Sequence, residues 1–120
     1  MWWRVAGVSG ALAVMLGAFG AHGLKSWVDD PHLLEIWDKA ARYHLVHAVA
    51  LLGVAMHPRR PAVAGGGFVL GTLLFSGSLY AMTLTGATWL GAITPLGGLS
   101  FIAGWIGLAA ASPEVSGRDH

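Results

Sequence analysis

The chain has 120 residues, of which 55% are hydrophobic and 11% charged, with a formal net charge of +1. Soluble domains carry about 25% charged residues, so this composition leaves too little polar surface to face water, and the balance of charge gives no electrostatic footprint for nucleic acid. The absence of cysteine excludes disulfides, thiolate metal sites, thioether-linked haem and a cysteine nucleophile.

The N-terminal head, Met1 to Arg4, sets Trp2 and Trp3 beside one arginine, a pattern suited to a membrane interface. Val5 to Ala21 is then free of charge, and a first span is expected over about 4–22. A secretory signal is the competing reading, because the head is positive and Ala18-Phe19-Gly20 resembles a cleavage site. Against it, Gly10, Ala13, Gly17 and Gly20 fall on one helical face, where a second helix can approach closely.

A polar loop and the start of an interfacial helix occupy 23–39. Asp29-Asp30-Pro31 reads as a helix start, with Asp30 as the cap and Pro31 in the first turn. Glu35 with Lys39, and Asp38 with Arg42, are spaced to pair along that helix. The helix is expected to pass Trp37 and Tyr43 at the interface and to span over about 40–57. Trp37, Ala41, His44 and Ala48 share one face, and Ala40, His47 and Leu51 the adjacent one. His57-Pro58-Arg59-Arg60-Pro61 closes it in a basic turn.

From Pro61 to Ala111 no Asp, Glu, Lys, Arg or His occurs, enough chain for two further spans, about 62–85 and 89–111. In the third, small and medium residues recur at Gly67, Gly71, Leu74, Ser78, Ala81 and Thr85, and its hydroxyls can bond back to the helix backbone. Gly86-Ala87-Thr88 is the expected turn. Pro95 interrupts the fourth run, which implies a kinked or late-starting helix. Beyond it, Gly97, Ser100, Gly104, Gly107 and Ala111 form a second small-residue stripe, and 112–120 reads as a flexible tail. The expected fold is all-α, an integral membrane four-helix bundle of one domain. Arg4, Arg59, Arg60 and Arg118 against Lys25, Lys39 and Arg42 place both termini in the cytoplasm.

Chemistry concentrates at His44 and His47, one helical turn apart, with His22 at the end of the first span on the same side. Three readings of these imidazoles stand: a hydrogen bond to a carbonyl or hydroxyl across a helix interface, contact with a ligand or substrate, or a metal or haem ligand. No zinc-protease, P-loop, dinucleotide or nucleophile-elbow pattern occurs, no cofactor is expected, and the chain does not read as an enzyme.

Several blocks carry a family resemblance. They are Gly17-Ala18-Phe19-Gly20-Ala21-His22-Gly23-Leu24, Tyr43-His44 with His47-Ala48, Leu74-Phe75-Ser76-Gly77-Ser78-Leu79-Tyr80, and Ile93-Thr94-Pro95-Leu96-Gly97-Gly98 with Gly104-Trp105. In this order the chain resembles the bacterial DUF423 family, itself similar to the eukaryotic transmembrane protein 256 group. The resemblance implies a multi-span inner-membrane protein of uncharacterised function, and it weights His22, Tyr43, His44, His47, Ser76, Ser78, Tyr80 and Thr94 as the polar cluster of any site. The expected role is a structural or accessory bundle that binds membrane lipid, a homo-oligomeric copy or a membrane protein partner. The alternative is a carrier or channel for a small solute, using a polar path near His22, His44 and Ser78.

Overall fold

The computed structural model describes residues 1–111; the tail expected at 112–120 lies outside them. Helix α1 runs Trp2–His22. A 3-10 turn at Leu24–Ser26 leads to α2, Pro31–Met56. Helix α3 covers Ala62–Thr85 with a π turn at Thr72–Ser76, and a second 3-10 turn, Thr88–Ala92, precedes α4, Thr94–Ala110. Among the described residues there is no β-strand.

Local chemistry sets the ends. The Asp30 side chain accepts the His32 N–H at 2.9 Å, and Pro31 occupies the first turn of α2, where its missing donor costs nothing. Gly86 ends α3 with φ 75°, a left-handed conformation that a residue without Cβ adopts freely. Pro95 lies in the first turn of α4 and breaks no ladder, so α4 starts late. Of the two expected ion pairs, Asp38–Arg42 forms at 2.9 Å. Glu35–Lys39 is not among the ion pairs of the described residues, as suits exposed side chains whose lost rotamer freedom offsets the attraction.

The bundle consists of two hairpins. In the first, the small-residue stripe of α1 lies on α2: a Cβ at Gly10 would sit 3.9 Å from Ala48, and one at Gly17 3.8 Å from Ala41. Trp37, on the face it shares with Ala41, His44 and Ala48, is a core residue at 2% exposure. Gly20 leaves a slot in which the indole lies, and Trp37 Nε1–H donates to the Leu16 carbonyl at 2.8 Å, so burying the ring strands no donor. In the second hairpin the backbones of α3 and α4 nearly touch. A Cβ at Gly67 would meet Gly104 Cα at 2.7 Å, and the Ser100 hydroxyl donates to the Gly67 carbonyl at 2.9 Å. Gly97 packs on the Phe75 backbone within the π turn.

The hairpins join through α2 and α3. The Ser76 hydroxyl donates to the Ala40 carbonyl at 2.8 Å, and the Thr83 hydroxyl, which bonds back to the Leu79 carbonyl of its own helix at 2.9 Å, also lies 3.2 Å from the Leu33 carbonyl. At the other end Ala6, Leu51, Val54, Ala64 and Phe68 form a buried apolar cluster. Close backbone approach and donors aimed at neighbouring carbonyls hold helices together where lipid supplies no hydrophobic drive.

The outside is apolar. Val8, Val14 and Met15 of α1, Val46 and Val49 of α2, and Leu99, Ile102 and Ile106 of α4 are all exposed, surface that a bilayer solvates and water does not. Helices α1 and α3 and the segment Thr88–Ala110 are each long and apolar enough to cross a membrane. Helix α2 is longer, but Glu35, Asp38, Lys39 and Arg42 crowd its first turns.

Candidate functional site

Histidines three residues apart lie on one side of a helix but point about 60° from each other. On α2 this divergence sends His44 toward α1 and α3, and His47 toward α4. Both are buried, at 5% and 4% exposure.

The His47 ring is fully committed. Its Nδ1 lies 2.7 Å from the Tyr43 carbonyl, an acceptor only, so the proton sits on Nδ1. Its Nε2 then accepts the Trp105 Nε1–H at 3.0 Å. The ring stacks on Phe101, with centroids 3.6 Å apart and planes at 10°, and Phe68 and Trp105 close round it. With neither nitrogen spare, His47 acts as a polar pin between α2 and α4.

His44 has a different setting. Its Nδ1 lies 3.0 Å from the Tyr80 hydroxyl and its Nε2 3.1 Å from the Ser9 hydroxyl, a chain that links α3, α2 and α1. Both hydroxyls can donate or accept, so either ring tautomer fits. The chain borders an open groove of about 550 Å³ between α1 and α3, with α2 as its floor. Val5, Val8, Leu12 and Leu16 form one wall, and Val69 and Leu73 stand on the other. Arg4 marks one end, and Ser9, His44, Thr72 and Tyr80 are the other polar residues. Gly77 faces the groove, where a Cβ would find only the Thr72 carbonyl, at 3.9 Å.

The remaining expected site residues are dispersed. The Ser78 hydroxyl lies 2.7 Å from that of Thr94, beneath the first turn of α4. Ser76 is tied to Ala40. Tyr43 is half exposed and its ring packs against Phe75. His22 is exposed at the end of α1 and joins neither histidine of α2 by a hydrogen bond. The structure therefore brings His44 and Tyr80 together, and Ser78 and Thr94, but the hydrogen bonds do not link His22, His44 and Ser78 into one path. No group of three or more His, Asp or Glu among the described residues is placed to hold a metal ion.

Sequence reasoning missed Ser9 and Trp105 as partners of the two histidines. Ser9 is the one hydroxyl between Val5 and Ala21, beside the small-residue stripe, and that isolation was the available signal.

An all-helical bundle with an apolar exterior, buried imidazoles without charged partners and a side-opening apolar groove defines a multi-span integral membrane protein. A family model described as "Protein of unknown function (DUF423)" matches residues 16–98. The UPF0382 membrane protein YwdK of Bacillus subtilis is 42% identical over 111 residues, 88% of this chain and 89% of that protein. A UPF0382 membrane protein of Schizosaccharomyces pombe is 40% identical over 110 residues, 86% of this chain and 93% of its own length. One from Haemophilus influenzae is 39% identical over 109 residues, covering 88% and 87% of the two chains. No solved structure matches the chain. The chain belongs to the DUF423 family, and the fission yeast relative carries that family into eukaryotes, as the resemblance implied.

Proposed function

We propose that this protein is a lipid-binding accessory bundle of the membrane, with spans at about 4–22, 40–57, 62–85 and 89–111 and both termini cytoplasmic. The groove between α1 and α3 carries the reading. It is apolar along its walls, opens sideways and has about 550 Å³ of space, within the range of small-molecule sites. A sideways opening within the bilayer meets acyl chains before anything else. The outer faces of α1 and α4 remain for a second copy or a membrane protein partner, whose stability or placement the bound lipid would support.

Gly77→Leu tests it. A Cβ at this position is unobstructed and the side chain beyond it would project into the groove that Gly77 lines, and replacing glycine within a helix favours the helix by up to about 1 kcal/mol. Native mass spectrometry of the detergent-released protein should show one retained lipid in the wild type, lost in the variant, with melting temperature unchanged or higher. Equal lipid retention in both proteins would refute the reading.

A further inference from the structure

The chain Ser9–His44–Tyr80 contains one hydrogen-bond donor too many. Neutral imidazole brings one N–H and each hydroxyl one O–H, which makes three donors for two links. With the proton on Nε2, the ring donates to Ser9 and the Ser9 O–H is left over. With it on Nδ1, the ring donates to Tyr80 and the Tyr80 O–H is left over. Neither hydroxyl has a further partner among the described residues. Both border the groove, where an unmatched O–H away from water is costly. The surplus donor calls for an acceptor supplied from outside.

Depth selects which hydroxyl is used. Ser9 follows Arg4 by five residues on α1, a rise of about 7.5 Å. In a bilayer the headgroup layer of each leaflet is about 5–8 Å thick above the hydrocarbon. Arg4 and Ser9 thus fall toward the two boundaries of that layer, so a lipid whose phosphate meets the Arg4 side chain carries its ester linkage down toward Ser9, while its acyl chain continues past Leu12 and Leu16. Arg4 supplies charge complementarity at the mouth, and the surplus O–H an ester-specific contact below it.

We infer that the groove binds a diacyl glycerophospholipid whose phosphate pairs with Arg4 and whose ester carbonyl accepts the Ser9 hydroxyl, which fixes His44 with its proton on Nε2 and Tyr80 donating to Nδ1. This rests on the groove being a lipid site. It adds the lipid's chemical class and makes the direction of the hydrogen-bond chain depend on occupancy.

The test uses the full chain in detergent micelles with phosphatidylglycerol, its diether analogue, which lacks the carbonyls, and diacylglycerol, which lacks the phosphate. One hydrogen bond corresponds to about fivefold in affinity, so the ester lipid should bind about fivefold tighter than the diether. Ser9→Ala should reduce that preference below about twofold, and Arg4→Gln should remove the advantage over diacylglycerol while leaving the ester preference in place. In the unaltered protein, the ¹⁵N shifts of His44 should report the Nε2–H tautomer with the ester lipid and a mixture with the diether. Equal affinity for ester and diether, with both still displaced by Gly77→Leu, would overturn the Ser9 contact but keep the lipid groove. Binding insensitive to Gly77→Leu would overturn both.

Discussion

Replacing Gly67 by alanine probes the closest backbone approach in the bundle. The added Cβ would lie 2.7 Å from Gly104 Cα, 2.8 Å from Gly104 N and 2.9 Å from the Ser100 carbonyl, all main-chain atoms that cannot rotate away. Carbon atoms rest at about 3.5–4.0 Å, so α3 and α4 must part by roughly 1 Å, a gap that forfeits a quarter to a half of the attraction of each contact it opens. Overpacking of this kind costs about 1–3 kcal/mol. The Ser100–Gly67 hydrogen bond, now 2.9 Å, would stretch beyond bonding distance and add about 0.6 kcal/mol, the typical worth of such a bond in a membrane. Gly66→Ala is the matched control: a Cβ there meets nothing within 4 Å, yet it changes helix propensity equally. Unfolding measured by steric trapping in one detergent should place Gly67→Ala about 2–3 kcal/mol below Gly66→Ala. A difference under about 0.5 kcal/mol would refute the argument that main-chain contact sets this interface.

Trp105→Phe keeps the ring against Phe68 but removes the donor to His47 Nε2, and the unmatched buried nitrogen should cost about 1–3 kcal/mol in the same unfolding assay. Arg42→Gln breaks an ion pair between exposed side chains, with relative exposures of 78% and 61%, and stability should change by less than about 0.5 kcal/mol. The sequence has no cysteine, so single introduced thiols report topology cleanly. If both termini are cytoplasmic, a membrane-impermeant maleimide added to intact cells should label Ser26→Cys and spare Ala62→Cys, whereas the reverse pattern would invert the orientation.

The parts of the bundle that could be read in advance are those where residue type and spacing say the same thing. Gly10, Gly17 and Gly20 mark the α2-facing side of α1 because only a close helix explains small residues at that spacing in an apolar run. Asp30-Pro31 marks a helix start because cap and proline chemistry are local. The burial of Trp37 was hidden because an indole suits an interface and a core equally, and its slot exists only once Gly20 of another helix faces it. The histidines looked like a pair at i,i+3. Their separation is decided by what stands opposite, Ser9 and Tyr80 for one and Trp105 for the other, which a single helix's pattern does not contain. The π turn had no signal either, since Thr72 to Ser76 holds no residue type that demands it.

That π turn makes one helix serve two partners. The Gly77 N–H reaches back to the Thr72 carbonyl, five residues earlier, so the turn holds one residue more than an α-helix would. Each residue rotates a helix by about 100°, so the two halves of α3 are clocked independently. Before the turn, Gly67 and Gly71 address α4; Ser76 at its end, and Tyr80 and Thr83 beyond it, address α2. Deleting a single residue here would leave composition and hydropathy nearly unchanged, yet it would swing Tyr80 about a quarter turn from His44 and Ser76 from Ala40. In this protein, the length of the third span carries information about the site that its apolar character does not.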